Sequence, residues 1–497
     1  MKNSIFLLIP LLFLNCKKVN REQEPNKVEN PKISALETLI LDQKTSFNVP
    51  GMAVGVIKEG EIFYANGVGV KDLESKDALT QKSIFHMASV SKPFVATAII
   101  QLVEQNKIEL DKKLTDYLPY FKMKDDRYKE ITIRQILNHS SGIPDVQDYE
   151  WDNPQYDEGA AERYVKSFDV KELDFTPGEK YNYSNASFNI LADVIAKVSG
   201  MTFEDYMQKN IFEPIGMINS TFYKPDVPEE LATKPHVLGD QLKIITGDFY
   251  PYNRIHAPSS TLHSNVDDML LWAQLNLNKG TINGKTIYNK DSYKLLTTGQ
   301  VKVGKKDSVC LSWFTGHLEG FKMFRHSGGD EGYRTFFGFI PEKKSAIVLM
   351  ANNDFLWSEN AANHLLRNIL LEENKPWKTP IHFVLKDYIL NEGIEKCKQV
   401  YFEKQTKTPE KYILDSWCID ELGYWLLDRG YNKKALEVFQ FNLELEPNYA
   451  GWIDSVGDAY RAMDEKEKAI HWYKKALKVK PDQEFSRKKL NELIKNK

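Results

Sequence analysis

Residues 85–94 read FHMASVSKPF, and this stretch determines how the rest of the sequence is interpreted. Ser89 and Lys92 follow the spacing S-x-x-K, which places the two side chains one helical turn apart on the same face. Pro93 suits a first helical turn, so Ser89 is predicted to lie at a helix N-terminus. Free N–H groups at such a terminus stabilise negative charge that develops during a reaction. Ser89 is therefore a candidate nucleophile, with Lys92 beside it.

The segments around this stretch predict a mixed fold. Apolar residues alternate or recur at helical spacing along most of the first 350 residues. The predicted elements are two strands in 52–70, a helix over 92–106, helices over 190–198 and 266–277, and strands over 335–340 and 345–350. Early strands, a helical middle and late strands indicate the α/β (α+β) class, with one sheet whose halves are distant in the sequence and a helical insertion.

A second candidate element is the motif YSN at 183–185, which follows the turn signal TPG at 176–178 and precedes a predicted helix. Tyr183 is thus placed on a turn that can present its hydroxyl. Because the reference pKa of tyrosine is about 10, a phenolate could act as a base only if a nearby cation stabilised it. Lys92 is the obvious candidate for that cation.

Both motifs recur elsewhere in the chain, so context decides which copies matter. Tyr64 and Asn66 repeat the Y-x-N spacing inside the predicted hairpin, and Ser486 and Lys489 repeat S-x-x-K in a lysine-rich polar helix. The Tyr64 copy lies in a strand of the hairpin, without the preceding turn and following helix of Tyr183. The Ser486 copy lacks the apolar, small-residue stretch that precedes Ser89. Both copies are predicted to have no catalytic role.

The third element is HSGG at 326–329, which leads into a predicted strand. Gly328 and Gly329 have no side chain, so a substrate can approach the backbone closely there. By itself the pair of glycines is equally consistent with a simple turn into an edge strand.

Together and in this order, the three elements resemble the S-x-x-K, Y-x-N and K/H-x-G triplet of the class C β-lactamase and penicillin-recognising serine hydrolase family. Three longer stretches are similar to the same family: ITIRQILNHSSGIPD at 131–145, APSSTLHSNVDDM at 257–269 and HSGGDEGYRTFFGFIPE at 326–342. The resemblance covers residues 35–375. It implies an antiparallel sheet flanked by helices, with a helical subdomain.

The resemblance also implies roles for individual residues. Ser89 would be the nucleophile, and Lys92 and Tyr183 would activate it and transfer protons. Asn185 would help to hold Lys92 and the substrate, and the backbone N–H groups of Ser89 and Gly329 would form the oxyanion hole. The residue types agree with this interpretation, because a serine needs an adjacent base, an orienting group and preorganised donors to be a useful nucleophile.

His326 departs from the family pattern. β-Lactamases and carboxypeptidases of the family usually have lysine there, whose charge helps to bind a substrate carboxylate, whereas histidine is mostly neutral at pH 7. Related D-aminopeptidases and esterases accept histidine. The expected substrate is a small molecule or peptide, and β-lactams, D-amino-acid peptides and plain esters all remain open.

The N-terminus is typical of an export signal. Lys2 precedes an apolar run, Ile5 to Leu14, which is half the length of about 20 residues that spans a bilayer. The run ends at Asn15-Cys16, which resembles a bacterial lipobox, although that pattern prefers a small residue before the cysteine. We expect residues 1–16 to be a signal peptide ending at a lipidated Cys16. A plain signal peptide, or a buried cysteine, is the alternative.

A lipidated Cys16 would place the protein in the bacterial cell envelope, as a periplasmic or outer-membrane lipoprotein. Residues 17–34 are mostly polar with two prolines, so they are predicted to form a flexible tether between the membrane and the hydrolase domain at 35–375.

The C-terminal part of the chain differs from the rest because it contains a repeated sequence pattern. Leu422-Gly423, Ala435, Phe439 and Pro447 recur 34 residues later as Val456-Gly457, Ala469, Tyr473 and Pro481. That spacing is the tetratricopeptide period. Two such repeats are predicted at 416–482, after a helical connector at 376–415 and before a capping helix at 483–497; two unrelated helical hairpins are the alternative. Residues 416–497 are the expected surface for a protein partner.

Composition excludes several classes of protein. With 497 residues, 66 Lys+Arg against 69 Asp+Glu and four cysteines, the chain is neither collagen-like, disordered nor a disulfide scaffold, and it lacks the basic excess of a nucleic-acid binder. Metal-binding spacings such as H-E-x-x-H are absent, so neither a metal nor a cofactor is expected. Cys310, Cys397 and Cys418 are predicted to be small buried residues.

Two classes of function are consistent with these observations. The first is an exported serine hydrolase that cleaves an ester or amide through an acyl-enzyme on Ser89. The second is a catalytically inactive, tethered binding protein that acts through its tetratricopeptide module.

Overall fold

The computed structural model describes residues 30–495. The predicted signal peptide, Cys16 and most of the predicted tether lie outside the described residues. Helix α1 begins at Pro31, where Asn30 caps it by accepting a hydrogen bond from the Lys32 backbone N–H. The last four residues of the segment predicted to be a tether are therefore helical.

The strands of residues 30–495, in chain order, are β1 Gly51–Lys58, β2 Glu61–Gly69, β3 Phe85–His86, β4 His236–Leu238, β5 Ile244–Thr246, β6 His263–Ser264, β7 Thr281–Ile282, β8 Lys285–Thr286, β9 Val301–Val303, β10 Asp307–Val309, β11 Phe314–Leu318, β12 Phe321–Asp330, β13 Tyr333–Ile340, β14 Ser345–Ala351, β15 Thr379–Pro380 and β16 Tyr412–Ile413.

The α-helices of the same residues are α1 Pro31–Ser46, α2 Lys92–Glu104, α3 Leu114–Tyr117, α4 Ile133–Leu137, α5 Ala160–Lys166, α6 Asn185–Asn189, α7 Leu191–Ser199, α8 Phe203–Met207, α9 Glu213–Ile215, α10 Ala257–Ser260, α11 Val266–Leu277, α12 Lys290–Thr297, α13 Ser358–Leu371, α14 His382–Ile389, α15 Gly393–Lys407, α16 Ser416–Leu427, α17 Asn432–Leu445, α18 Ala450–Ala462, α19 Lys466–Val479 and α20 Glu484–Lys495.

Eight strands form one antiparallel sheet in the order β2-β1-β14-β13-β12-β11-β10-β9. The β1–β2 hairpin, which corresponds to the two strands predicted in 52–70, turns at Glu59 and Gly60, both with positive φ. Strand β1 pairs with β14, with Val54 opposite Leu349, so the early and late parts of the chain meet within one sheet. The prediction of one sheet with sequence-distant halves is confirmed.

The two faces of the sheet bury different sets of side chains, because alternate residues of a strand point to opposite faces. A front cluster, which includes Ala53, Ile57, Phe94 and Trp272, packs the sheet against α2, α11 and the helical subdomain. Gly55 of β1 permits this contact, because a Cβ there would lie 2.7 Å from a methyl carbon of Val266 on α11. The front layer is also the layer that carries the S-x-x-K motif.

A back cluster continues from the other face of the sheet into the C-terminal helices. It includes Val54 and Leu349 from the sheet together with Leu422, Ala435 and Val456 from the helical module. Buried aromatic rings join the two parts, for example Phe383 of α14, whose centroid lies 5.2 Å from those of both Phe47 and Trp425. Helices α14–α18 thus share a core with the sheet, whereas Ala469 and Tyr473 of α19 and Leu490 of α20 form a small cluster of their own.

Helices α16–α19 form two antiparallel hairpins that repeat at the predicted spacing of 34 residues. In each hairpin a glycine of the first helix faces an aromatic ring of the second. A Cβ on Gly423 would lie 2.2 Å from the Phe439 ring, and a Cβ on Gly457 would lie 2.7 Å from the Tyr473 ring. The helical architecture is present, whereas the assignment to tetratricopeptide repeats stays a prediction.

Candidate active site

Ser89 lies in a short 3-10 turn, Ala88–Ser91, that leads directly into helix α2. Ala88 has φ +48°, a left-handed conformation that costs free energy for a residue with a side chain and is often found at functional sites. Ser91 holds the turn, because its hydroxyl donates to Ala88 O at 2.6 Å and accepts from Leu262 N at 2.9 Å. The turn presents Ser89 at the surface of a cleft.

Lys92 is fully buried and its Nζ has three hydrogen-bond partners. It lies 2.9 Å from Ser89 Oγ, 2.7 Å from Asn185 Oδ1 and 2.8 Å from the backbone oxygen of Ser259. The two carbonyl oxygens can only accept hydrogen bonds. A neutral amine would give its two N–H groups to them, and its lone pair would then point to Ser89.

The electrostatic surroundings of Lys92 favour that neutral form. Burial lowers the pKa of Lys92 to about 7, and the negative charges of Asp330 and Asp145 partly oppose this effect. The aromatic ring of Tyr183 also lies close, with its centroid 4.9 Å from Nζ. A lysine with a pKa near neutrality can take a proton from a serine hydroxyl, whereas an exposed lysine cannot.

Tyr183 lies next to Ser89 in the same cleft. Burial raises the pKa of Tyr183 well above its usual value, and the hydrogen bond with Ser89 lowers it only in part. A tyrosine phenolate is therefore strongly disfavoured in the free protein. The geometry supports a neutral hydroxyl that can pass a proton between Ser89 and a leaving group, with Lys92 rather than Tyr183 as the base.

The edge of strand β12 forms the opposite wall of the cleft. Strand β11 pairs with β12 only up to Arg325, so residues beyond it face the turn of Ser89. Gly328 allows the close approach, because a Cβ there would lie 2.4 Å from Met87 O, the acceptor of a 2.7 Å hydrogen bond from the Thr335 hydroxyl. Gly329 follows on the same edge and lines the cleft together with Ser89.

His326 is buried on this edge, and its Nδ1 lies 2.7 Å from the backbone oxygen of Ser327. Because that oxygen only accepts, Nδ1 carries the proton in the neutral ring, and Nε2 is left as an acceptor. Burial lowers the pKa of His326 to about 3, and the nearby Lys92 contributes in the same direction. His326 is therefore uncharged at neutral pH.

The cleft has a volume of about 370 Å³ and contains one guanidinium group, that of Arg325. Arg325 donates to Glu359 Oε1 at 2.6 Å, to the backbone oxygen of Thr315 at 2.7 Å and to Asp307 Oδ2 at 3.3 Å. Phe314 supplies an aromatic wall, with its ring 5.4 Å from that of His326. Two carboxylates thus already neutralise the arginine.

Several residues around the site were not identified as functional from the sequence. His139, which the sequence suggests only as a helix-end residue, has φ +56°, stacks on Tyr183 with centroids 4.1 Å apart and accepts from Ser184 N at 3.2 Å. Ser259 provides a backbone acceptor for Lys92, and Asp145 binds Asn185. All three lie in the stretches 131–145 and 257–269. The similarity of these stretches to the family is the sequence feature that could have identified them as functional.

The chance copies of the motifs have different surroundings. Tyr64 is buried in the back cluster, on the other face of the sheet from Ser89. Ser486 donates to Asp454, and Lys489 forms ion pairs with Asp454 and Asp458 at 2.6 Å, so that lysine is held as a cation. Neither copy has the arrangement found around Lys92.

Cys310, Cys397 and Cys418 are buried free thiols, as predicted. Within residues 30–495, histidine, cysteine and carboxylate side chains nowhere gather in the groups of three that could hold a metal ion. Over the same residues, no helix has both the length and the apolar character that crossing a membrane requires.

Comparison with known proteins identifies relatives for the part of the chain that contains this site. Residues 36–371 match the family model described as Beta-lactamase. Protein flp of Staphylococcus aureus (strain COL) is 23% identical over 352 residues, which are 69% of this chain and 68% of that protein. Penicillin-binding protein 4* of Bacillus subtilis (strain 168) is 27% identical over 364 residues, 69% of this chain and 77% of that protein.

A solved structure is similar over the same share of the chain. It is the octameric penicillin-binding protein homologue from Pyrococcus abyssi, with a TM-score of 0.62 and 26% sequence identity. The match covers 69% of this chain and 78% of that one. The large antiparallel sheet with flanking helices is thus shared with a penicillin-binding protein homologue.

Proposed function

The chain belongs to the Beta-lactamase family, whose members are serine hydrolases, and from that premise we propose that it cleaves an ester or amide through an acyl-enzyme on Ser89. The observation that carries the proposal is the hydrogen bonding of Lys92, whose lone pair is left for Ser89 Oγ when the amine is neutral. Covalent labelling of Ser89 by a fluorophosphonate probe tests it.

In the proposed reaction, Lys92 Nζ takes the hydroxyl proton while Ser89 Oγ forms a bond to the substrate carbonyl carbon. The backbone N–H groups of Ser89 and Gly329 stabilise the negative charge that develops on the carbonyl oxygen. The bond to the leaving group then breaks, and Tyr183 relays the proton from Lys92 to that group. Water enters next, and the same groups assist hydrolysis of the ester on Ser89.

The cleft supports a preference for substrates without a carboxylate. His326 is neutral at its position, and the Arg325 guanidinium is bound by Glu359 and Asp307. The lining residues of the cleft therefore offer no unpaired positive charge to an anionic substrate. We propose that uncharged esters or amides are hydrolysed better than carboxylate-bearing β-lactams or D-alanyl peptides.

We expect His326→Lys to raise the activity on carboxylate-bearing substrates relative to neutral ones by about tenfold, because a charge-assisted hydrogen bond is roughly twice as strong as a neutral one. The measurement is the ratio of kcat/KM for nitrocefin to that for p-nitrophenyl acetate in both proteins. His317→Lys, on the exposed side of β11, controls for the added charge. A high wild-type ratio that His326→Lys leaves unchanged would show that this residue does not set the preference.

The second candidate function is a tethered protein that binds a partner through residues 416–497. The two helical hairpins favour it, because stacked hairpins of this kind are common binding scaffolds. The intact contacts around Lys92 favour hydrolysis instead. The two functions predict opposite results in the labelling experiment, since an inactive relic would not react with an active-site probe.

We propose that the protein is held in the bacterial cell envelope by a lipid on Cys16. Replacement of Cys16 by serine should then move the protein from the membrane fraction to the soluble fraction, because the lipid is the expected anchor. The measurement is fractionation of cells that express either form, with incorporation of a labelled fatty acid as the direct readout. Retention of the Cys16→Ser protein in detergent-requiring fractions would contradict the proposal.

A further inference from the structure

The proposed role of Lys92 depends on which end of the Asn185 carboxamide faces it. If Oδ1 faces Nζ, as observed at 2.7 Å, it takes one N–H of the amine and leaves the lone pair for Ser89. If the amide were turned over, its NH₂ group would oppose the N–H groups of Lys92, and donor would face donor. Something must therefore fix the orientation of Asn185.

Asp145 makes the contacts that distinguish the two orientations. Its Oδ2 accepts from Asn185 Nδ2 at 3.3 Å, and its Oδ1 accepts from the backbone N–H of Asn185 at 2.6 Å and of Ala186 at 3.3 Å. A carboxylate has no hydrogen to donate, so it can pair only with the NH₂ side of the amide. The oxygen of Asn185 is consequently directed to Lys92.

The position of Asp145 is itself determined by the loop that follows helix α4. Its Oδ1 accepts from the Val146 N–H at 2.8 Å, and the loop contains two residues with positive φ, His139 and Gly142. Backbone bonds tie this loop to the segment before Asn185, since Asn182 N donates to His139 O at 2.8 Å and Gly178 N donates to Ser140 O at 2.7 Å.

We propose that Asp145 is a positioning residue that orients the Asn185 amide and thereby aims the lone pair of Lys92 at Ser89. The inference rests on the proposed serine hydrolase function and extends it to a residue that is not among those lining the Ser89 cleft. The charge of Asp145 has a second effect, because it is one of the two contributions that raise the pKa of Lys92 against burial. The titratable groups that face Lys92 are Asp145, Asp330, Tyr183, His139 and His326.

The test measures the rate at which a fluorophosphonate probe labels Ser89 in the full chain, as a function of pH. In the wild type, the rate should rise with pH through about 7 as Lys92 loses its proton. Asp145→Asn should slow labelling above this transition about tenfold, because its amide lets Asn185 turn over. The transition itself should move to lower pH, because a negative charge that favours protonated Lys92 is gone.

Exchanging the side chains of residues 145 and 185 gives a swapped pair that is expected to restore labelling. In Asp145→Asn combined with Asn185→Asp, residue 185 again offers an oxygen to Lys92 and residue 145 offers an NH₂ group to residue 185. Labelling at high pH should recover toward the wild-type rate, with the transition at higher pH because the carboxylate now adjoins Lys92. Asn185→Asp alone places two carboxylates opposite each other, so its Ser89 should be labelled more slowly than that of the swapped pair. This comparison remains informative even if the Asp145→Asn protein does not fold.

Ser184→Ala is the matched structural control. The Ser184 hydroxyl caps the same helix, α6, by accepting from Ser187 N at 3.0 Å, but it does not contact the Asn185 amide. This variant should lower the melting temperature and leave the pH transition unaltered. An Asp145→Asn protein with the wild-type rate and transition, or a swapped pair no faster than Asn185→Asp, would overturn the inference. A wild-type protein that is not labelled at all would instead refute the proposed function.

Discussion

Ser89→Ala is expected to abolish hydrolysis and covalent labelling while the protein stays folded. The substitution removes only the attacking oxygen, and the turn of residues 88–91 keeps its own hydrogen bonds through Ser91. Loss of the nucleophile in a serine enzyme lowers kcat by roughly 10⁶ in the subtilisin precedent. The measurements are labelling by a fluorophosphonate or fluorescent penicillin and turnover of p-nitrophenyl esters, with a thermal melt to establish folding.

The second S-x-x-K motif supplies the control for this experiment. Ser486→Ala changes the equivalent serine in α20, whose Lys489 is held by Asp454 and Asp458 rather than freed for proton transfer. That variant should be labelled at the wild-type rate. Full labelling of Ser89→Ala, or turnover equal to that of the wild type, would exclude Ser89 as the nucleophile and favour the binding-protein alternative.

Tyr183→Phe is expected to lower kcat by about 10²–10⁴, because it removes the hydroxyl that relays protons between Ser89, Lys92 and the leaving group. The aromatic ring remains, so its stacking on His139 and its contact with Lys92 are retained. Substrate binding should therefore change little. Steady-state kinetics with a p-nitrophenyl ester separates the two effects, since the loss should appear in kcat and not in KM.

Tyr64→Phe is the matched variant at the other Y-x-N copy. Tyr64 is buried in the back cluster, across the sheet from the cleft, and loss of its hydroxyl should leave kcat unchanged. A fall in turnover of about 10²–10⁴ for Tyr64→Phe, with no effect of Tyr183→Phe, would show that Tyr64 and not Tyr183 is the catalytic tyrosine.

Much of the fold was predictable because it depends on neighbouring residues. The β1–β2 hairpin requires a turn at Glu59-Gly60 between two β-rich runs, and helices such as α11 and α2 follow from apolar residues at helical spacing. The repeat of Gly423 at Gly457 likewise predicted two similar helical hairpins. These sequence patterns are local, so they predict an element without knowledge of what that element packs against.

Tertiary structure alone decided how the catalytic candidates work together. The three sequence motifs identified Ser89, Lys92 and Tyr183 as candidates. The chemistry of these residues, however, depends on burial and on partners far along the chain. Burial lowers the pKa of Lys92 to about 7 and raises the pKa of Tyr183 well above its usual value, which favours the lysine over the tyrosine as the base.

The amino-acid sequence by itself determined which elements form and which motif copies had suitable surroundings. Only the tertiary structure revealed that Asn185 Oδ1 and the Ser259 backbone oxygen both accept from Lys92 Nζ, across separations of 93 and 167 residues. It also showed that helices α14–α18 share a core with the sheet instead of forming a separate body. The physical reason is that hydrogen-bond direction, desolvation and shared cores arise from contacts between distant segments, and local periodicity does not encode those contacts.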